Sequence, residues 1–393
     1  MKYLSHLLIA ILTGWILAVS GCDHRVDIAP FEANTSGNVI GDTTYVEITP
    51  PWIGFTSPRG VFVGNDQLIY VADYGANEVV MLDAGGTVLN RRHILHPAAI
   101  AQNSKLDLYV AGEQIAPNGI DTIAALFRIY LVRYDSLYIV SITDSTGHHI
   151  DTTVVSTFFD HKLDAARMDT VWRETGKPLR RFTGISVMPN NDYLVARTGN
   201  DNTSFVDPDS RMLLFNGRDV LITPLPELIT RPSGGTGIND IRFLTSVFVF
   251  PSARDFIATQ SSDGVAYGAI WMVFSQTIDF EGYLPKFDPT NPDQAGADFI
   301  HPYRYHNAIS ATYDKRKREI FILDAELDSV SKFTFKGAFK PESFGRYLTG
   351  QGQLPPLNHP MSLTFSNDCT LYIADTGNQI IRRFRLSSQS TCF

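Results

Sequence analysis

Two stretches at opposite ends of the chain follow one grammar. Near the start stand Pro58-Arg59-Gly60-Val61-Phe62-Val63, then Leu68-Ile69-Tyr70-Val71-Ala72-Asp73-Tyr74-Gly75, then Glu78-Val79-Val80-Met81-Leu82-Asp83. Near the end stand Pro360-Met361-Ser362-Leu363-Thr364-Phe365, then Leu371-Tyr372-Ile373-Ala374-Asp375-Thr376-Gly377-Asn378, then Ile380-Ile381-Arg382-Arg383-Phe384. Each copy is a β run, a turn, a second β run ending in Ala-Asp, a tight Gly/Asn turn and a third β run. Period-two alternation of β-branched and aromatic residues predicts strands, and Gly and Asn supply the positive φ that such turns need. One small antiparallel sheet of this kind cannot cover both of its faces, so the copies must stack on one another.

Weaker copies fill the middle. Ala99-Ile100-Ala101 with Leu106 to Ala111 opens a second unit, Phe182 to Pro189 a third, Leu244 to Pro251 a fourth, and Ser310 to Tyr313 with Glu319 to Asp324 a fifth. The copy at Ser362 is the sixth. Radial stacking of six such sheets makes a β-propeller, so the predicted fold is all-β and six-bladed. The sixth unit runs out of chain soon after Arg385, whereas Thr43 to Ile48 is a β run with no partner of its own. The N-terminal run is therefore expected to supply the outer strand of the last blade and close the ring. The gap from about 136 to 180 exceeds what a last strand needs. It is expected to hold an inserted hairpin following the second blade, with a seventh, degenerate blade as the alternative.

The repeat resembles NHL repeats over most of the chain, closely in the first and last blades and approximately between them. That resemblance implies an interaction platform. Relatives include the peptidylglycine lyase domain and calcium-dependent lactonases of the gluconolactonase and paraoxonase kind, so fold alone does not decide function.

Ahead of the repeats, Lys2 precedes an apolar stretch from Leu7 to Val19 and then Val19-Ser20-Gly21-Cys22. The stretch is short for a membrane span and ends in small residues, as a secretory signal does. The four residues resemble the bacterial lipobox, which implies cleavage before Cys22, acylation of that cysteine and membrane attachment through the lipid. An ordinary signal peptide with a chance cysteine is the alternative. The expected organisation is a signal at 1–21, a tether at 22–40 and the propeller at 41–393, in the cell envelope. Export leaves Cys369 and Cys392 in an oxidising space. A bridge between them would close a loop of about twenty residues and contribute about 3 kcal/mol in the chain-entropy description, two free thiols being the alternative.

A 44% hydrophobic, 19% charged composition is that of an ordinary globular chain, and a net charge of −8 with scattered basic residues excludes a nucleic-acid surface. Asp73, Asp324 and Asp375 take the repeat's Asp position, where a carboxylate before a tight turn accepts backbone N–H bonds and fixes the turn. Glu78 and Ile380 stand where NHL repeats often carry Arg. His96, His306, Asn307 and His359 precede innermost strands and are candidates for the channel mouth, where the lyase relatives assemble a metal from histidines of separate blades. The order His-Pro at 96–97 and 359–360 departs from the Pro-His of that pattern. The lactonases imply oxygen donors around calcium, for which Asn239, Asp240 and Asn307 are candidates without a joining motif. The Asp-rich loops at 200–209 and 288–298 lack EF-hand spacing and read as solvated loops. No nucleophile elbow, phosphate loop, dinucleotide fingerprint or Cys-Xaa-Xaa-Cys is present. The expectation is a monomeric, lipid-tethered binding module for a protein, peptide or glycan, with no confident cofactor. A calcium- or zinc-dependent lactonase or lyase is the alternative.

Overall fold

The computed structural model describes residues 45–143, 146–147, 149–159, 163–230, 236–345 and 356–387. Cys22 and Cys392 lie outside them, as do the signal and the tether. Six four-stranded antiparallel sheets form the molecule. From the axis outwards, blade 1 consists of Pro58–Val63, Ile69–Asp73, Glu78–Leu82 and Val88–His93. Blade 2 consists of Leu95–Gln102, Leu108–Ile115, Thr122–Tyr130 and Arg167–Arg173. Blade 3 has Arg181–Val187, Tyr193–Thr198, Arg211–Phe215 and Leu221–Pro224. Blade 4 has Leu244–Val249, Phe256–Gln260, Ala269–Gln276 and Glu281–Pro285. Blade 5 has Ala308–Asp314, Glu319–Asp324, Ser329–Thr334 and the short Phe344–Gly345. Blade 6 has Ser362–Phe365, Leu371–Asp375 and Ile380–Leu386, completed by Tyr45–Glu47 from the other end of the chain. Each innermost strand contacts those of both neighbouring blades, and blade 6 meets blade 1, so the ring is closed.

The second strands explain why the repeat reads as it does. All five residues of Ile69–Asp73 and of Leu371–Asp375 are buried, because each blade is covered on both faces by its neighbours. Alternation survives as a choice between two cores. Tyr70 and Ala72 pack with Ile100, Val110 and Phe127 of blade 2, whereas Ile69 and Val71 pack with Tyr372, Ala374 and Ile381 of blade 6. The core is thus a set of layers between blades.

The innermost strands each leave one edge unpaired toward the channel. Hydroxyl groups of the adjacent blades satisfy part of it. Ser362 Oγ accepts from the Val61 N–H at 3.2 Å, Thr312 Oγ1 from Phe365 at 3.1 Å and Ser186 Oγ from Val249 at 2.9 Å, while Thr183 Oγ1 donates to the Leu244 carbonyl at 2.9 Å. Blades 3 and 4 approach closely enough there that a Cβ on Gly184 would lie 2.6 Å from Ser246 Cα.

One expectation is corrected in position. The insertion does not follow the second blade but lies inside it, between its third and outer strands, as the two-stranded hairpin Val132–Thr143 with His149–Phe159. Arg167–Arg173, within the span assigned to the insertion, is the outer strand of blade 2, paired to Thr122–Tyr130. The same β alternation marks both, so strand pattern alone does not separate a blade strand from a hairpin arm.

Closure rests on Tyr45, Val46 and Glu47 pairing with Leu386, Arg385 and Phe384. Glu47 receives the Arg382 guanidinium through two bonds, Nε to Oε1 and Nη2 to Oε2, each 2.9 Å. Arg382 is fully buried and also lies 3.4 Å from Asp375 Oδ2. Removing one partner of a buried pair strands the other charge. Glu47→Ala is therefore expected to cost about 3–5 kcal/mol, read as a lowered midpoint in urea unfolding; a loss below about 1 kcal/mol, the range of exposed pairs, contradicts the closure role.

Candidate functional site

Antiparallel order puts the turns between second and third strands, and the loops from each outer strand to the next blade, on one face. The repeat's Asp position lies at this face. Asp73 accepts from the backbone N–H groups of Thr56 and Ser57, each at 2.8 Å, and of Ala76 at 3.4 Å. Asp324 accepts from His306 at 2.7 Å, Asn307 at 3.2 Å, and Glu326 and Leu327 at 3.0 Å. Asp375 accepts from Asn358 N–H and Asn378 Nδ2, both at 2.9 Å. Each carboxylate ties the loop entering its blade to the turn leaving the second strand.

Strand register identifies what stands at this position elsewhere. Pro58 pairs with Asp73 just before the bulge in blade 1, Leu244 with Gln260 at the same point of blade 4, and Phe182 with Arg197 in blade 3. Gln260 does the Asp's work with an amide, accepting from Arg242 N–H at 2.9 Å and donating to the carbonyls of Asp240 and Tyr267, both at 2.8 Å. In blade 3 the charge is reversed. The signal was readable: Val195-Ala196-Arg197 aligns with Val71-Ala72-Asp73.

Acids gather around that arginine. Arg197 binds Glu174 Oε1 at 3.1 Å, Asp207 Oδ1 at 2.7 Å and the carbonyls of Asp209 and Pro208 at 3.0 and 2.7 Å. Arg180 binds Glu174 Oε2 at 2.9 Å, Asp207 Oδ2 at 2.7 Å and Asp209 Oδ1 at 2.8 Å. Burial raises the Asp207 carboxyl, but the two guanidinium groups outweigh it and hold the group below the usual carboxylate range. These pairs line a cavity of about 420 Å³ between the outer end of blade 2 and blade 3, with Trp172, Leu213, Leu221 and Pro224 on its apolar side.

A second cavity of about 510 Å³ is the central channel, walled by all six innermost strands. Its lining is aliphatic and aromatic groups with Ser and Thr hydroxyls and the amides of Asn65, Gln102 and Asn191, and among the described residues Arg59 is the one charged group in it. None of His96, Asn239, Asp240, His306, Asn307 and His359 lines this cavity. The His96 ring stacks on Tyr74 with centroids 4.5 Å apart, and its Nδ1 lies 3.1 Å from Glu113 Oε2. Glu113 also holds Arg181 Nε at 2.8 Å. His306 Nδ1 is 3.6 Å from Glu326 with both side chains exposed, and the His359 backbone N–H donates to Asp328 at 2.6 Å. The two His-Pro steps share a left-handed backbone, φ 44° at His96 and 48° at His359. Asn239 Oδ1 is buried without a partner, and burial raises the neighbouring Asp240 carboxyl. Among the described residues no three His, Cys, Asp or Glu side chains gather as a metal ion would need. In the Asp-rich loops, Asp207 and Asp209 are held by arginines, and Asp288 by the backbone and hydroxyl of Thr290. Cys369 is buried in the turn between the first two strands of blade 6 and is disulfide-bonded.

No protein-family model and no curated protein matches the chain. Solved structures do match in fold. An auxiliary nutrient binding protein from Bacteroides thetaiotaomicron aligns at a TM-score of 0.54 and 12% identity, over 85% of this chain and 70% of that one. A putative oxidoreductase (glucose dehydrogenase) from Thermus thermophilus aligns at 0.51 and 10%, over 88% and 100%. The PQQ-bound aldose sugar dehydrogenase of Streptomyces coelicolor aligns at 0.50 and 13%, over 88% and 98%. The chain thus shares its six-bladed architecture with proteins named as binders and as enzymes, and the architecture does not choose between them.

The reversed charge in blade 3 gives a direct test. Arg197→Asp restores the residue of the repeat but sets a third carboxylate against Glu174 and Asp207. It is expected to lower stability by about 3–5 kcal/mol in chemical unfolding; an unchanged or raised midpoint contradicts the assignment of Arg197 as the centre of the cluster.

Proposed function

We propose that the chain is a ligand-binding module of the cell envelope, tethered by a lipid on Cys22, that recognises a protein, peptide or glycan with the loop-bearing face over blades 2 and 3. The observation that carries this reading is the apolar surface of that face. Ile120, Leu179, Phe205 and Val206 are between 68% and 86% exposed, all on loops of these two blades. Singly exposed apolar residues are ordinary, but four large ones on adjoining loops of one face mark a surface that another molecule covers. The loops are held from beneath. Leu179 precedes the buried Arg180, and Phe205 and Val206 precede Asp207, a half-exposed carboxylate bonded to both buried arginines, so the lattice fixes the backbone presenting them. A fold shared with a protein named as a nutrient binder is compatible with this use.

The competing reading, a metal-dependent lactonase or lyase, needs side chains converging on the channel mouth. The placement of His96 on Glu113, His306 on Glu326 and Asn239 away from the channel lining does not favour it. One experiment addresses function and anchoring together. The full chain and its Cys22→Ala variant, expressed in a bacterial host, are fractionated and assayed for lactone and ester hydrolysis with added calcium or zinc and with chelator. The expected result is membrane-associated wild type, a released variant and no metal-dependent turnover. Turnover that a chelator abolishes would overturn the binding reading, and a variant that stays with the membrane would overturn the anchor.

A further inference from the structure

The lattice around Arg180 and Arg197 accounts for both carboxylates lining the pocket between blades 2 and 3, Glu174 and Asp207; of the other cations lining it, Lys177 lies 3.8 Å from Asp201 and Arg173 donates to Gln114, which leaves Arg211. Arg211 lies directly across from Arg197 in the strand register. Like charges in that relation are destabilising, and among the described residues Arg211 makes no hydrogen bond or ion pair, although its side chain is partly buried and lines the cavity. Its neighbours are already committed. Glu174 is divided between Arg180 and Arg197, Asp207 likewise, and Asp209 holds Arg180 at 2.8 Å. Burial first, and then the charges of Arg197 and Arg180, press the Arg211 guanidinium below its ordinary value against the opposing pull of Asp207.

A protein that only needed to fill this position had simpler choices, since any aliphatic residue would continue the wall formed by Leu213, Leu221 and Pro224. A planar guanidinium with free donors, at the edge of an apolar wall and in a cavity of about 420 Å³, is what a bidentate oxyanion contact requires. The volume lies in the range of small-molecule sites. We propose that Arg211, with Arg197 beside it, forms an oxyanion-binding site for a ligand of sugar-ring size carrying a carboxylate or a sulfate. The site rests on the binding-module reading and deepens it by naming a ligand chemistry. Arg180 and Arg197 are positioning residues here, because their own donors are spent on Glu174 and Asp207. The apolar body of the ligand lies along Trp172 and Leu213, below the exposed loops at Leu179 and Phe205.

Isothermal titration of the full chain with sodium glucuronate, sodium sulfate and glucose at matched ionic strength tests this. Wild type is expected to bind glucuronate, sulfate or both, and not glucose; which anion binds tells a carboxylate site from a sulfate site, and either supports the proposal. Arg211→Met should weaken the anion at least about tenfold, since one charge-assisted contact is lost, and Arg211→Lys should lie between, having the charge without the fork. The unfolding temperature of Arg211→Met should equal or exceed that of wild type, because the substitution removes repulsion with Arg197 and no partner. Absence of anion binding in wild type, equal affinity in Arg211→Met, or a destabilised Arg211→Met each overturns the proposal. Failure here is separable from failure of the binding reading, which is decided by metal-dependent turnover and not by anion affinity.

Discussion

The structure depends on a strand of three residues from one end of the chain lying in the blade formed by the other end. Each blade has its apolar faces covered only by its two neighbours, so an open ring would expose two faces of a core that has no other cover. Tyr45–Glu47 prevents this by completing blade 6 before the chain enters blade 1. The strand is too short to hold by backbone bonds alone, and the buried Arg382 adds a two-pronged bond to Glu47. Because Arg382 also reaches Asp375, and Asp375 fixes the loop entering its own blade at Asn358, the seam and the repeat's turn chemistry are one connected set of contacts.

Much of this was legible in the sequence. The two matching copies, the six innermost strands and the orphan run near Val46 follow from strand periodicity and from the need to cover two-faced sheets. The parts that were not legible share a physical cause, which is that local pattern does not report the partner. The arms of the hairpin at 132–159 alternate as blade strands do, and only pairing shows that Arg167–Arg173 completes blade 2. Arg382 reads as one basic residue in a run of them, and its burial depends on a glutamate more than three hundred residues away. His306 and His359 precede innermost strands and His96 lies within the start of one, but strand pattern did not report the carboxylates beside the rings, Glu113 at His96 and Glu326 at His306. Arg197 was visible as a break in Val-Ala-Asp, and its meaning appears only with the acids that surround it.

That break divides the ring. Blades 1, 5 and 6 keep the aspartate and short turns beside it, whereas blade 4 uses Gln260 and blade 3 uses Arg197 with a long loop folded over it. Blade 3 lies under the exposed apolar loops and beside the pocket of Arg211. The same rigidity that a closed ring imposes is what allows a few loop residues to be held at fixed positions without a core of their own.

The central claim is that the N-terminal strand is part of the cooperative ring and not an addition to it. Native-state hydrogen exchange measures this directly. The amide of Ile48, bonded to the Arg383 carbonyl at 2.7 Å, and those of Trp52 and Ile381, which exchange bonds at 2.9 Å, should open with the same free energy as second-strand amides such as Val71 and Ile373. Exchange of Ile48 and Trp52 through a separate opening several kcal/mol easier, with the remaining blades still protected, would show that the ring holds without its seam and would contradict the account.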